Sequence, residues 1–364
     1  MKKYWTTPKY KKQNVRKARR SLNRKLEFKD NVRLKNIKEQ RLSKEEKKHK
    51  HQFEDKIKDY TKVRAPEDFS FKQNPEKVIQ FINKIKGCFD RREKTFVMLE
   101  SVKKIDYDAI VVLFSIMIRF KSQNIPFNGD FPAENNIRNI LTQSGFFKNL
   151  LKRNFKDEDR YNVGENDHSL HTHAFKNVDS ELSAKIIEQA SKTIWGETRR
   201  CQGAQRTLLE LMQNTNNHAS FEKEGDKHWW LSVNHDKTNN RVSFSFVDYG
   251  VGVFSSLSNK QEGNKFFNSI EKMIERYKYG NNAELLRLIL EGDLHKTVTG
   301  EHYRGKGLPG IKEALKRNQI SNLVVVTNNV YSNAIDDNYK LLNVNFTGTF
   351  INWELNINNI SCNA

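Results

Sequence analysis

The sequence predicts an α/β (α+β) protein: two helix-and-sheet modules behind a basic N-terminal arm. Three observations carry this. Strand-like and helix-like runs alternate over 75–155 and again over 181–356, the pattern of sheets covered by helices. WWLSVNH at 229–235 and RVSFSFV at 241–247 flank the turn DKTNN, which reads as a β-hairpin. Charge is segregated: the net charge is +20, yet residues 1–64 hold 24 Lys/Arg against 8 Asp/Glu, and residues 65–364 hold 40 against 36. The C-terminal module is expected to be an α/β sandwich, a mixed sheet covered by helices. The N-terminal module is expected to be smaller.

Residues 1–64 form the arm. KYWTTPKYKK reads as extended or irregular, with Pro8 and Thr6–Thr7 opposing a helix. Residues 13–60 have few breakers and sparse apolar residues, among them Val15, Leu22, Leu26 and Ile37. Such a stretch suits a disordered segment, or a helix that forms on a partner. Its charge points to the phosphates of RNA or DNA, the ribosome included, with Tyr4, Trp5 and Tyr10 as stacking groups. An acidic protein partner and a solubilising tail are the alternatives.

Residues 65–74 read as a linker, and Pro75 suits a first helical turn. The small module then runs helix (76–90), strand (95–100), turn (102–106), helix (107–122), strand (125–128), helix (134–144) to about 155. AIVVLFSIMI at 109–118 is too short to span a membrane and is expected to be a buried helix. The N-terminus lacks the apolar run of a signal peptide, so a cytoplasmic protein is expected. Cys88, Cys201 and Cys362 are too scattered for a disulfide framework or a cysteine zinc site. Residues 156–180 read as a polar linker. Its His168, His171 and His173 lack acidic or cysteine partners at metal-ligand spacing and are expected to be solvated loop histidines.

From 181 the second module begins with helices over 181–196 and 203–219. Residues 253–304 hold two more helices, 267–277 and 282–291, punctuated by Gly280, Gly292 and Gly300. This segment separates two glycine-rich stretches, as a movable lid does. A helix over 309–319 and strands over 322–327, 339–346 and 348–355 close the module, and 357–364 is a tail.

The candidate chemistry starts with RTLLELMQNTNNHAS at 206–220. Glu210, Asn214 and His218 recur every four residues, so a helix sets them in one row. By itself such a row is the polar stripe of a half-exposed helix. Two later stretches change that reading. VDYGVGV at 247–253 puts an acid and two glycines at a strand end, and RGKGLPGI at 304–311 opens a helix with glycines. Glycine-rich turns at helix starts present backbone N–H groups to phosphates.

As a set, these three stretches resemble the ATP-binding domain (Bergerat fold) of the GHKL superfamily. That superfamily comprises gyrase-type ATPases, heat-shock chaperones, sensor histidine kinases and MutL-type repair proteins. The resemblance covers roughly residues 180–356. The E-x-x-x-N-x-x-x-H form is most similar to the anti-sigma-factor and chemotaxis kinases, and Asn217 stands where gyrase-like and chaperone members have an acid. The resemblance implies Mg on the side-chain oxygen of Asn214, and Glu210 orienting and deprotonating a water at the γ-phosphate. It implies His218 near the phosphates and Asp248 accepting from the adenine amino group. Gly250 and Gly252 would let backbone pass close to the base. Gly305, Gly307 and Gly310 would offer N–H groups to the phosphates, beside the charges of Arg304 and Lys306. Thr349 would bond Asp248 or a water on adenine.

The small module resembles STAS domains, the fold of anti-sigma-factor antagonists. The likeness rests on the Ile105–Asp106 strand end, the helix after it and SGFF at 144–147. In those antagonists a phosphorylatable Ser or Thr follows the acid by two. Here Asp108 holds that place, so the phosphoswitch is expected to be absent or fixed in an acidic state. The function expected from both resemblances is Mg-dependent ATP binding by a slow ATPase, hydrolysing ATP to ADP and phosphate, that acts as a regulatory switch. The STAS-like module would meet a regulatory protein partner. The alternatives are an anti-sigma-type serine/threonine protein kinase and a nucleic-acid- or ribosome-bound ATP-sensing adaptor.

Overall fold

The computed structural model describes residues 7–25, 29, 55–144, 146, 168–173, 178–218, 229–249, 252–254, 282–292 and 307–363. They divide between two compact units, Met1–Tyr60 and Thr61–Ala364.

In the first unit residues 8–25 form helix α1. Pro8 opens this helix where an irregular stretch was expected. The first helical position needs no N–H, and proline's fixed φ suits it. Thr7 is the cap. Its hydroxyl accepts from the Tyr10 N–H at 3.4 Å, and its carbonyl accepts from the Lys11 N–H at 3.1 Å.

The second unit begins with β1 (Thr61–Arg64), inside the stretch read as arm. It pairs in parallel with β3 (Thr95–Met98), which pairs in parallel with β5 (Phe127–Gly129). With Val63 as its only large apolar residue, β1 is too short to show a period. Two-residue strands β2 (Asp68–Phe69) and β4 (Lys104–Ile105) form a second small ladder. Helices α2 (Pro75–Asp90), α3 (Tyr107–Ser122) and α4 (Asn135–Gln143) complete the module. Residues 109–116 of the apolar run are buried within α3, and Met117 and Ile118 are half-buried.

The C-terminal half adds β6 (His168–His173), α5 (Ser180–Trp195), β7 (Arg199–Arg200), α6 (Gln202–His218), β8 (Trp229–Asp236) and β9 (Arg241–Asp248). It continues with α7 (Asn282–Glu291), α8 (Gly307–Lys316), β10 (Ser321–Asn333), β11 (Asn338–Asn356) and β12 (Cys362–Asn363). Five strands make one sheet in the order β10-β11-β9-β8-β6. Every pairing in it is antiparallel, so parallel pairing is confined to the small module. The expected helix over 267–277 lies outside the described residues.

Three strands of this sheet also differ from expectation. The histidines at 168, 171 and 173 lie on an edge strand, not in a loop, because β6 pairs with β8 from His168–Asn234 to His173–Trp229. HSLHTH has no apolar alternation, so only its partner makes it a strand. The strands read as 339–346 and 348–355 are one, and 322–327 extends to Asn333. The join passes through Gly348 at φ +128°, where a Cβ would stand 2.1 Å from the Asp248 carbonyl oxygen. Only glycine lets β11 run past the end of β9 there.

Alternation along the strands feeds two cores. Trp229, Phe246, Ile351 and Val325 pack under α5, α6, α7 and α8. Their neighbours Trp230, Val247, Phe350 and Val326 join the core of the small module. Phe114 of α3 meets Trp230 edge-on at 5.5 Å, and Phe71 lies 4.5 Å from Phe350. The small module thus lies on the outer face of the five-stranded sheet. Among the described residues no helix is long and apolar enough to cross a membrane.

Candidate functional site

Helix α6 turns Ala204, Leu208, Leu211 and Met212 into the core. That leaves Arg206, Glu210 and Asn214 along its flank at four-residue spacing. Arg206 Nε lies 3.7 Å from Glu210 Oε1, and the Glu210 side chain is 23% exposed. Asn214 is half-buried.

The first turn of α8 packs on this flank. A Cβ at Gly307 would stand 3.0 Å from Asn214 Nδ2 and 3.1 Å from Oδ1. A Cβ at Gly310 would stand 3.3 Å from Arg206 Nη2. Two of the three motifs, far apart in sequence, therefore meet: the Asn214 amide lies against Gly307 at the start of α8, where the first backbone N–H groups have no acceptor within the helix. Those N–H groups and the helix dipole favour an anion. An amide oxygen beside them suits a hard cation such as Mg, which keeps most of its waters.

The third motif lies at the end of β9. Asp248 pairs in register with Trp229 of β8 and Thr349 of β11, and Thr349 pairs with Thr327 of β10. Residues directly opposite share a face, and Trp229 fixes which one: the face covered by α6 and α8. Asp248 and Thr349 are half-buried there, and Thr327 is buried. Past the strand end, Gly252 takes φ +79°, and a Cβ on it would strike Asn328 Oδ1 at 2.4 Å. The Val253 N–H donates to Thr327 Oγ1 at 3.0 Å, and that hydroxyl donates to the Gly348 carbonyl at 3.1 Å. The turn after Asp248 is therefore pinned to β10.

Tyr249 points the other way. Its hydroxyl donates to the Val112 carbonyl at 3.1 Å and accepts from Ser115 Oγ at 2.9 Å. Arg119 lies 5.8 Å from its ring. Burial drives its pKa far above the usual phenol value, the Ser115 bond and Arg119 opposing in part. Consecutive residues thus bind opposite sides of the sheet, Asp248 facing the helices and Tyr249 locked into α3.

The structure brings Asn214 together with Gly307, and Asp248 with Thr349. Glu210 shares the Asn214 flank. Gly250, Arg304, Gly305 and Lys306 lie outside the described residues, and so do most of the expected lid and the side chain of His218. Arg206, Thr327 and Asn328 escaped the sequence reading. Arg206 was recoverable, being one turn before Glu210 in the same row. Thr327 and Asn328 carry no local signal, because only strand register places them here.

In the small module Asp108 is buried, with its carboxylate accepting the N–H groups of Phe71 at 3.0 Å and Lys72 at 3.3 Å. It holds the 70–73 turn, which the Tyr331 hydroxyl grips from the sheet by donating to the Lys72 carbonyl at 3.1 Å. Burial first, then Asp106, raises its pKa to about 6. Both its oxygens hold backbone N–H groups. Ser115, a nearby hydroxyl, is buried under Tyr249.

Compared with protein-family models, curated proteins and solved structures, the chain matches none. Among the described residues no cluster of three or more His, Cys, Asp or Glu could hold a metal ion.

Proposed function

We propose that the chain binds ATP with Mg on the helix-covered face of its five-stranded sheet, and acts as a slow ATPase serving as a regulatory switch. The carrying observation is the Asn214 amide seated against Gly307 at the start of α8, a space that any Cβ would fill. Asn214 Oδ1 is the residue oxygen that would hold Mg, which when bound neutralises phosphate charge. The N–H groups opening α8 hold phosphate oxygens. Asp248 accepts a hydrogen bond from the exocyclic amino group of adenine, which discriminates ATP from GTP. Glu210, one turn before Asn214, orients a water and takes its proton, with Arg206 restraining the carboxylate.

The switch acts through the turn after Asp248. Adenine held by Asp248 loads the adjoining Tyr249, whose hydroxyl is bound into α3. The nucleotide thereby biases the small module without an interdomain hinge. Asp108 and Ser115 of that module are engaged in its packing, which favours the ATPase over a kinase acting on its own N-terminal module.

The test follows free phosphate and label on protein together, using γ-labelled Mg-ATP. The expected outcome is phosphate release by the wild type, nucleotide binding lost in Asn214→Ala, and binding without release in Glu210→Ala. Label on protein would replace the ATPase by a kinase. Wild-type protein that binds no ATP would end the proposal.

A further inference from the structure

We infer that helix α1 is a docking surface for duplex nucleic acid, gripping the phosphate backbone through one cationic face. Residues 8–25 contain nine Lys/Arg and no Asp/Glu. At about 100° per residue, Lys9, Arg16 and Arg20 lie in the middle of an arc of about 160°, Lys12 and Arg24 flank them, and Arg19 and Lys17 mark its edges. All seven are exposed. The charge is therefore concentrated on one side, beyond a merely basic composition.

The linear density matches a polyphosphate. Eighteen residues span about 27 Å, so seven cations fall about one per 4 Å, against one phosphate per about 3.4 Å along each duplex strand. A straight helix with this row lies along a groove wall and neutralises several phosphates together. The opposite side argues against a lipid surface. It carries Val15, Ala18 and Leu22 with Lys11 and Lys25 set among them, and Val15 and Leu22 are each 59% exposed. An interfacial helix needs a broad apolar face with Trp, Phe or several Leu, and α1 contains no Trp or Phe. The face is built mainly of Lys and Arg at phosphate spacing, so the binding rests on the backbone charge, which is the same in every sequence. The inference stands apart from the nucleotide site and does not depend on it.

The test uses the full chain and labelled duplexes of about 20 base pairs, one DNA and one RNA, read by anisotropy between about 50 and 200 mM salt. The expected result is tight binding at the lower salt, with log K falling against log salt at a slope of about −5. R16E/R20E should lose at least tenfold in affinity and flatten the slope by about 2. R16Q/R20Q, which keeps good helix formers, should lose less. Asn214→Ala should bind duplex as the wild type does, so failure here and failure of the ATP reading are distinguishable. Three outcomes overturn the inference: no binding at the lower salt, wild-type affinity in both double variants, or tighter binding to poly-glutamate or anionic vesicles than to either duplex. The DNA and RNA arms show which duplex is preferred.

Discussion

The proposed site turns on one missing methyl group, where Gly307 lies against Asn214. With Ala at 307 the Cβ would press on the Asn214 amide at 3.0 Å. Gly307→Ala is expected to lower ATP affinity about tenfold. Alanine is the better helix former by up to about 1 kcal/mol, so the thermal midpoint should hold or rise. Calorimetric titration beside a melting curve checks both. Asp108 supplies a second expectation at this scale. Its pKa is about 6 in the folded protein and about 3.9 in an unfolded chain. The folded state therefore holds its proton more tightly. Its contribution is fully present below about pH 4 and is lost as pH rises through 6. The loss is on the order of 3 kcal/mol by pH 7. Urea unfolding at pH 4 and pH 7 should show Asp108→Asn gaining on the wild type over that interval. A constant difference would mean that Asp108 does not titrate there. The position of Asp108 was legible in the sequence, two residues after an acid at a strand end. Its job of holding the Phe71 and Lys72 N–H groups was not, because that bond spans 37 residues.

Tyr249 is where two elements, the end of β9 and helix α3, are joined. Tyr249→Phe removes its hydrogen bond to Val112 and the acceptor for Ser115, at about 1 kcal/mol of stability. If the turn after Asp248 carries the switch, the same change should weaken ATP binding several-fold. Lost stability with unchanged affinity would refute that link. The β10–β11 hairpin is a second tie. On one side the Asn343 N–H donates to Glu76 Oε1 of α2 at 2.9 Å, and Asn83 Nδ2 donates to the Asn345 carbonyl at 2.8 Å. On the other, Lys312 Nζ of α8 donates to the Ala334 carbonyl at 3.1 Å. Helix α8, which would open the phosphate side of the proposed site, thus reaches the small module through one hairpin. The sequence showed this hairpin as separate strands, since Gly348 reads as a break until its positive φ is seen to serve continuity.

Across the second unit, the small module and the sheet have one core in common. Phe71, Phe114, Trp230, Val247, Phe346 and Phe350 belong to a single buried cluster. A fragment of residues 178–364 would expose the Trp230, Val247 and Phe350 face to water. At about 25 cal/mol per Å² of apolar surface that is a large loss. The fragment is expected to aggregate more than residues 61–364, which keep that face covered; size-exclusion chromatography of both decides it. Soluble, monodisperse 178–364 would show that the outer face tolerates exposure.

Periodicity and turn chemistry were enough for most elements: Glu210 and Asn214 in a row on α6, the β8–β9 hairpin, the buried α3, and the glycines in the first turn of α8. These are local signals, written within a turn or a strand length. The meeting of Asn214 with Gly307, the rung of Asp248, Thr349 and Thr327, the strand made of HSLHTH, and the burial of the outer sheet face depend on partners distant in sequence. The strand pattern said that Trp229 and Trp230 face opposite ways. It did not say what each would meet, because burial selects a surface by shape and apolar area and leaves no period in the chain that records the choice.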